Sequence, residues 1–110
     1  VPNPSIENFV RLFKIMCAQY GFEWRPKMIQ YLIKQHYAPI KRELRNCHPR
    51  DLLLQARNYC RYFKRPVELT KESIDFACEN YFSIMSSTQM QSHTLVGQGT
   101  VVIAKFPYSL

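Results

Sequence analysis

Residues 47–55 read Cys47-His48-Pro49-Arg50-Asp51-Leu52-Leu53-Leu54-Gln55, and this stretch decides the fold. Proline has a fixed φ and no N–H, so it suits the first turn of a helix and disrupts its interior. A helix is predicted to start here, with His48 as N-cap and Pro49 in the first position. Leu52, Leu53, Ala56, Tyr59, Cys60 and Phe63 then recur at helical spacing on one face. Pro66 ends the pattern. A helix with one apolar stripe needs partners of the same kind to cover it.

Such partners lie on both sides. Upstream, Asn3-Pro4 announces a first helix whose stripe is Ile6, Phe9, Val10, Phe13, Met16, Cys17 and Tyr20, and Gly21 stops it. A second helix opens at Arg25-Pro26, carries Met28, Ile29, Leu32, Ile33 and His36, and is ended or kinked by Pro39. A basic connection over 39–47 has room for one short helical turn. Downstream, Thr70 is an N-cap with Glu72 in the first turn, ahead of a stripe of Ile74, Ala77, Cys78 and Tyr81, extending to Phe82 and Met85. The fold class is therefore all-α, a small four-helix bundle over residues 1–85. Residues 86–110 read as a polar linker followed by an extended or hairpin tail. There Thr94-Leu95-Val96 and Thr100-Val101-Val102-Ile103-Ala104 flank Gly97-Gln98-Gly99.

Size agrees with one domain. The chain has 110 residues, of which 46% are hydrophobic and 14% aromatic, enough for a modest core and too apolar for a disordered tail. It begins at Val1, which points to a piece of something larger. No apolar run approaches the roughly 20 residues of a membrane span, and no signal-peptide pattern opens the chain. Cys17, Cys47, Cys60 and Cys78 form no C-x-x-C pair, and three fall on apolar helix positions. Reduced core thiols in a cytoplasmic protein are the expectation, with no metal site.

The formal charge is +7, from 15 Lys and Arg against 8 Asp and Glu. The excess is concentrated between residues 25 and 65, where only Glu43 and Asp51 oppose the cations. A basic middle of this kind favours an anionic partner: a nucleotide, a nucleic acid or an acidic surface. Only Gly21, Gly97 and Gly99 are glycines, and none precedes a lysine as a phosphate-cradling loop requires. The chain cannot build a complete P-loop site alone.

Arg50 is the leading site residue. A helix N-terminus with free N–H groups and an arginine suits a phosphate, and the planar guanidinium can grip two oxygens at once. The alternative is that Arg50 pairs with a carboxylate on the bundle surface. Arg50, Leu54, Arg57 and Arg61 share a helix face, the default meaning of which is a solvated surface, although Leu54 among arginines fits a docking face better. His48, Asp51, Leu54, Arg57 and Arg61 are the candidate supporting or docking residues, and no residue is assigned as catalytic or metal-binding. His36 reads as a satisfied core or boundary histidine, and His93 has no assigned role. Tyr31, Tyr37, Tyr59 and Tyr62 lie among cations where bases could stack on them, but their spacing favours core packing.

From about residue 2 to residue 82 the chain resembles the C-terminal helical lid of AAA+ ATPases. The likeness is carried by four helices in this order and is strongest at His48-Pro49-Arg50-Asp51-Leu52-Leu53-Leu54-Gln55, which is similar to the sensor 2 segment. Leu69-Thr70, Ile74 and Ala77 resemble the start of the fourth lid helix. The resemblance implies that Arg50 is the sensor 2 arginine reaching the γ-phosphate of ATP, with Mg, in a site completed by a core domain of the same chain. It also implies neighbouring subunits in a ring oligomer. Walker A, Walker B and sensor 1 segments are missing, so the segment alone is not catalytic; its parent would be the ATPase. Two other classes stand beside this reading: a basic helical module binding nucleic acid, and a bundle that only mediates protein contacts. No membrane partner is expected.

Overall fold

The computed structural model describes residues 3–90, with side chains as far as residue 84. Four helices follow one another, as the periodicities predict, and no strand occurs among the described residues. They are α1 (Ile6–Tyr20), α2 (Pro26–His36), α3 (His48–Tyr62) and α4 (Lys71–Met90), with a single 3-10 turn at Ala38–Ile40. That turn carries Pro39 and supplies the short helical piece expected in the 39–47 connection. No helix among the described residues is long and apolar enough to cross a membrane.

The helix ends differ from the sequence expectation in detail, each for a local reason. α1 is capped by Ser5, whose Oγ accepts from the Asn8 N–H at 3.2 Å, so Asn3-Pro4 precedes the helix. Ile6, placed on the buried stripe by its spacing, is 57% exposed because it lies on the wall of an open groove with Val10 and Ile33. α3 is capped by Cys47, so His48 is its first residue and Pro49 its second. Phe63 follows α3 and is 41% exposed, outside the stripe it was assigned to. α4 runs on to Met90, through residues 86–90 that read as linker. An established helix propagates one residue at a time at little cost, and no Gly or Pro stands there to stop it. The tail strands around Gly97-Gln98-Gly99, and His93, lie outside the described residues.

Both α1 and α3 close on a residue in the left-handed region. Gly21 does so after α1 at φ 82°. After α3 the residue is Lys64, at φ 56°. At that end Arg65 N–H bonds the Cys60 carbonyl at 2.8 Å and Lys64 N–H the Arg61 carbonyl at 3.2 Å. This is the hydrogen-bond pattern that glycine most often completes.

The helices bury one another's stripes around α3, which packs against both α4 and α1, while α2 packs on α4. Phe9 and Phe13 of α1, Ile29 and Leu32 of α2, and Leu52, Leu53 and Ala56 of α3 are all within 3% of complete burial. Ile74, Ala77 and Cys78 close the core from α4. All four cysteines are free, and three are buried. Burial pushes the Cys17 thiol up to about 11, so it remains a protonated, unreactive core group. His36 is a satisfied boundary residue, as expected: its Nε2 lies 2.7 Å from Asp75 Oδ1, and Tyr31 donates to the same carboxylate at 2.9 Å.

Thr70 and Ser73 cap α4 reciprocally. Thr70 Oγ1 accepts from the Ser73 N–H, and Ser73 Oγ accepts from the Thr70 N–H, each at 3.0 Å. Thr70→Ala removes the first bond and is expected to cost about 1 kcal/mol, a fall of roughly 4–8 °C in the melting midpoint by circular dichroism. An unchanged midpoint would show that α4 holds its start without the cap.

Candidate functional site

The position of Arg50 is set by what its neighbours bury. His48, one turn ahead of the α3 stripe, is only 7% exposed. Its ring stands edge-on to Phe82 and Tyr81, with centroids 5.2 and 5.7 Å away. Its Nδ1 lies 2.8 Å from the Tyr37 hydroxyl. Burial raises the Tyr37 pKa, which keeps that hydroxyl protonated and able to donate to a neutral imidazole. Burial, reinforced by the Arg42 and Arg45 charges, lowers the His48 pKa from 6.5 to about 4. His48 is thus a core residue that fixes the start of α3. Of the supporting or docking roles expected of it, this burial fits the supporting one.

A second anchor holds the next turn. Tyr81 of α4 donates its hydroxyl to Asp51 Oδ2 at 2.8 Å. Burial and this bond both raise the Tyr81 pKa. Asp51 Oδ1 accepts from Arg50 Nε at 3.1 Å. Arg50 therefore does pair with a carboxylate, but with its own neighbour, and its side chain stays 57% exposed. An exposed pair of this kind is worth only about 0–1 kcal/mol, so an incoming anion displaces little by engaging the guanidinium. The Asp51 bond also raises the Arg50 pKa, so the cation persists at any ordinary pH.

The helix end contributes less than the sequence implied. Pro49 has no N–H, the His48 N–H bonds the Arg45 carbonyl at 3.2 Å, and the Asp51 N–H bonds the Cys47 carbonyl at 3.1 Å. An anion arriving at this terminus would meet the Arg50 side chain rather than a row of open backbone donors.

The proposed arginine face also divides. Arg50 and Arg61 are exposed, but Leu54 and Arg57 are half-buried. The Arg57 guanidinium lies over the Tyr20 ring of α1, 5.3 Å from its centroid, and its Nε is buried without a hydrogen-bond partner among the described residues. Arg57 is a packing residue between α1 and α3. Asp51 supports Arg50 directly, and Arg61 stands at the far end of the helix.

Sequence reasoning missed the partners distant along the chain. Arg25, read only as a helix start, reaches Glu68 at 2.7 Å and the Leu69 carbonyl at 3.0 Å, tying the start of α2 to the loop before α4. Beside it lies an open groove of about 610 Å³ between Trp24, Met28 and Lys71. A second groove of about 560 Å³ runs between Ile6, Val10 and Ile33. Neither includes Arg50, and no spacing in the sequence announces them. No group of His, Cys, Asp and Glu among the described residues is arranged to hold a metal ion.

Residues 5–80 match the model of the family described as Domain of unknown function (DUF8689), and the chain belongs to that family. No curated protein and no solved structure matches it.

The buried His48 makes stability depend on pH in a definite direction. Its folded pKa lies below its unfolded value, so the unfolded chain binds the proton more readily. The stabilisation is complete above about pH 6.5 and is lost as pH falls through about 4, by an amount on the order of 3 kcal/mol. Urea unfolding at pH 7 and pH 5 should show a smaller loss between the two values in His48→Gln than in the unaltered chain. Equal losses would mean that His48 does not titrate in this window.

Proposed function

We propose that this DUF8689 chain is the nucleotide-sensing lid of an AAA+ ATPase, with Arg50 as its sensor 2 arginine. The observation that carries the reading is the placement of Arg50. It is a permanently charged, largely exposed arginine on the first turn of a helix whose start is locked from below by His48–Tyr37 and Asp51–Tyr81. The resemblance of residues 47–55 to the sensor 2 segment, and four helices in lid order, support it.

In this reading the phosphate-cradling half of the site and its Mg lie in a core domain, and ATP is the ligand shared between the two. Nη1 and Nη2 of Arg50 form no hydrogen bond among the described residues and provide the planar fork that grips two phosphate oxygens. Arg50 makes that contact only when lid and core are closed. The contact is lost with the γ-phosphate, so nucleotide state becomes domain movement. Neighbouring subunits of a ring, in the cytoplasm, would receive it.

Arg50→Ala in the intact ATPase is expected to lower the turnover number by roughly 100-fold or more, the range for removing a transition-state charge contact. The bundle should stay folded, because the side chain is mostly in solvent. Tyr81→Phe, which frees Asp51 while leaving Arg50 in place, is expected to give a smaller loss. Undiminished turnover and assembly in Arg50→Ala would overturn the assignment, as would robust ATP hydrolysis by the 110-residue chain alone.

A further inference from the structure

α1 and α2 are each held from behind, α1 by α3 and α2 by α4, and an open groove of about 560 Å³ is left between them. Its floor is Ile29, only 1% exposed. Ile6 and Val10 form the α1 wall and Ile33 the α2 wall, with Pro26 and Ala38 at the two ends. Gln30 and Lys34 are the polar residues of the lining. The groove follows the length of α2, roughly 16 Å or three helical turns. Ile6 is 57% exposed, and Val10 and Ile33 are half-buried, so an aliphatic strip on both walls remains in contact with water.

The charge beside this strip is nearly all of one sign. α1 and α2 carry Arg11, Lys14, Lys27 and Lys34 against a single carboxylate, Glu7. All four cations are exposed, and none forms an ion pair among the described residues. Helical spacing sets them along both lips. Lys14 stands one turn beyond Val10 on α1, and Lys27 one turn before Gln30 on α2, in line with Lys34.

We propose that the α1–α2 groove is the docking site for one acidic amphipathic helix of a partner protein. The aliphatic face of that helix fills the cleft between Ile6, Val10 and Ile33, and its flanking Glu or Asp residues meet Lys14 on one lip and Lys27 and Lys34 on the other. A helix laid along three turns of groove places anchors at i, i+4 and i+7 over the floor, with its polar flanks at the lips. The lining holds no aromatic ring on which a base could stack. A flat lipid surface would reach the lips but not the Ile29 floor. A second copy of the chain has no suitable helix among the described residues, because all four turn their apolar stripes into their own core. The inference does not rest on the lid reading, since it uses neither Arg50 nor ATP.

The test is fluorescence anisotropy of a labelled peptide with the 110-residue chain. The peptide has about 16 residues, with leucines at i, i+4, i+7 and i+11 and glutamates on the flanks. A peptide of the same composition in scrambled order, and one with lysine in place of glutamate, are the comparisons. The acidic helix should bind with a dissociation constant in the micromolar range, roughly 1–100 μM, more weakly as salt rises. Ile6→Glu should weaken it at least about 10-fold without lowering the melting midpoint, since Ile6 is mostly in solvent. Lys34→Glu should weaken it roughly 5-fold and flatten the salt dependence. Lys64→Glu, an equal charge change beyond the end of α3, should leave binding unchanged. No binding by the acidic peptide would overturn the proposal, as would equal binding by the scrambled or lysine peptide, or unchanged affinity in both Ile6→Glu and Lys34→Glu. Two further results would assign the groove to another occupant and overturn it too. One is a dimer in sedimentation velocity that Ile6→Glu abolishes. The other is binding to phosphatidylserine vesicles that Ile6→Glu abolishes and the peptide does not displace.

Discussion

The hydrogen bond between Tyr37 and His48, sealed inside a cluster of rings, is the constraint on which the rest of the bundle turns. It joins the end of α2 to the start of α3, two segments separated by a connection rich in cations and poor in apolar residues. Phe9 of α1 and Phe82 of α4 close on the same pair, so all four helices meet at this point. A buried imidazole is tolerable only if it is neutral and partnered, and a buried hydroxyl only if it stays protonated and donates. Each group satisfies the other's requirement. The consequence one turn later is that Asp51 and Arg50 leave the helix in fixed directions.

The arginines of the basic middle then divide by what they touch. Arg25 ties two loops together through Glu68 and the Leu69 carbonyl. Arg42 lies 3.7 Å over the Phe82 ring and donates to the His36 carbonyl, and Arg57 covers Tyr20. These three are fastened into the fold by their stems and planar heads. Arg50 and Arg61 are exposed, and Arg65 lies across Tyr59, whose hydroxyl it donates to at 3.2 Å. The +7 charge is therefore not one undifferentiated patch. Part of it is internal mortar, and the remainder is spread over exposed side chains such as Arg11, Lys34, Arg50 and Arg61.

Much of this fold was legible in the sequence because period and punctuation agree. Stripes such as Phe9–Phe13–Cys17 and Leu52–Leu53–Ala56 are core in fact, and Gly21, Pro26 and Thr70 mark real helix ends. The misreadings share one cause. Local spacing says which face a residue occupies but not how far the neighbouring helix extends to cover it. Ile6 and Phe63 sit at apolar positions and are 57% and 41% exposed, while Arg57 sits at a polar position with Tyr20 across from it. The proline after His48 marks it as a cap, while the structure makes it the first residue of the helix. Its burial depends on Tyr37 and Tyr81, far away in sequence. Arg50 is legible from its place beside Pro49, whereas the grooves beside Arg25 and Ile6 follow from no spacing.

The central claim is that a rigid helix start holds Arg50 where it can report the γ-phosphate. Amide hydrogen exchange over residues 47–54 of the intact protein tests it most directly, comparing a non-hydrolysable ATP analogue with ADP. The account predicts slower exchange with the analogue than with ADP, and loss of that difference in Arg50→Ala. Exchange that does not distinguish the two nucleotides, or that distinguishes them equally well without Arg50, would contradict it.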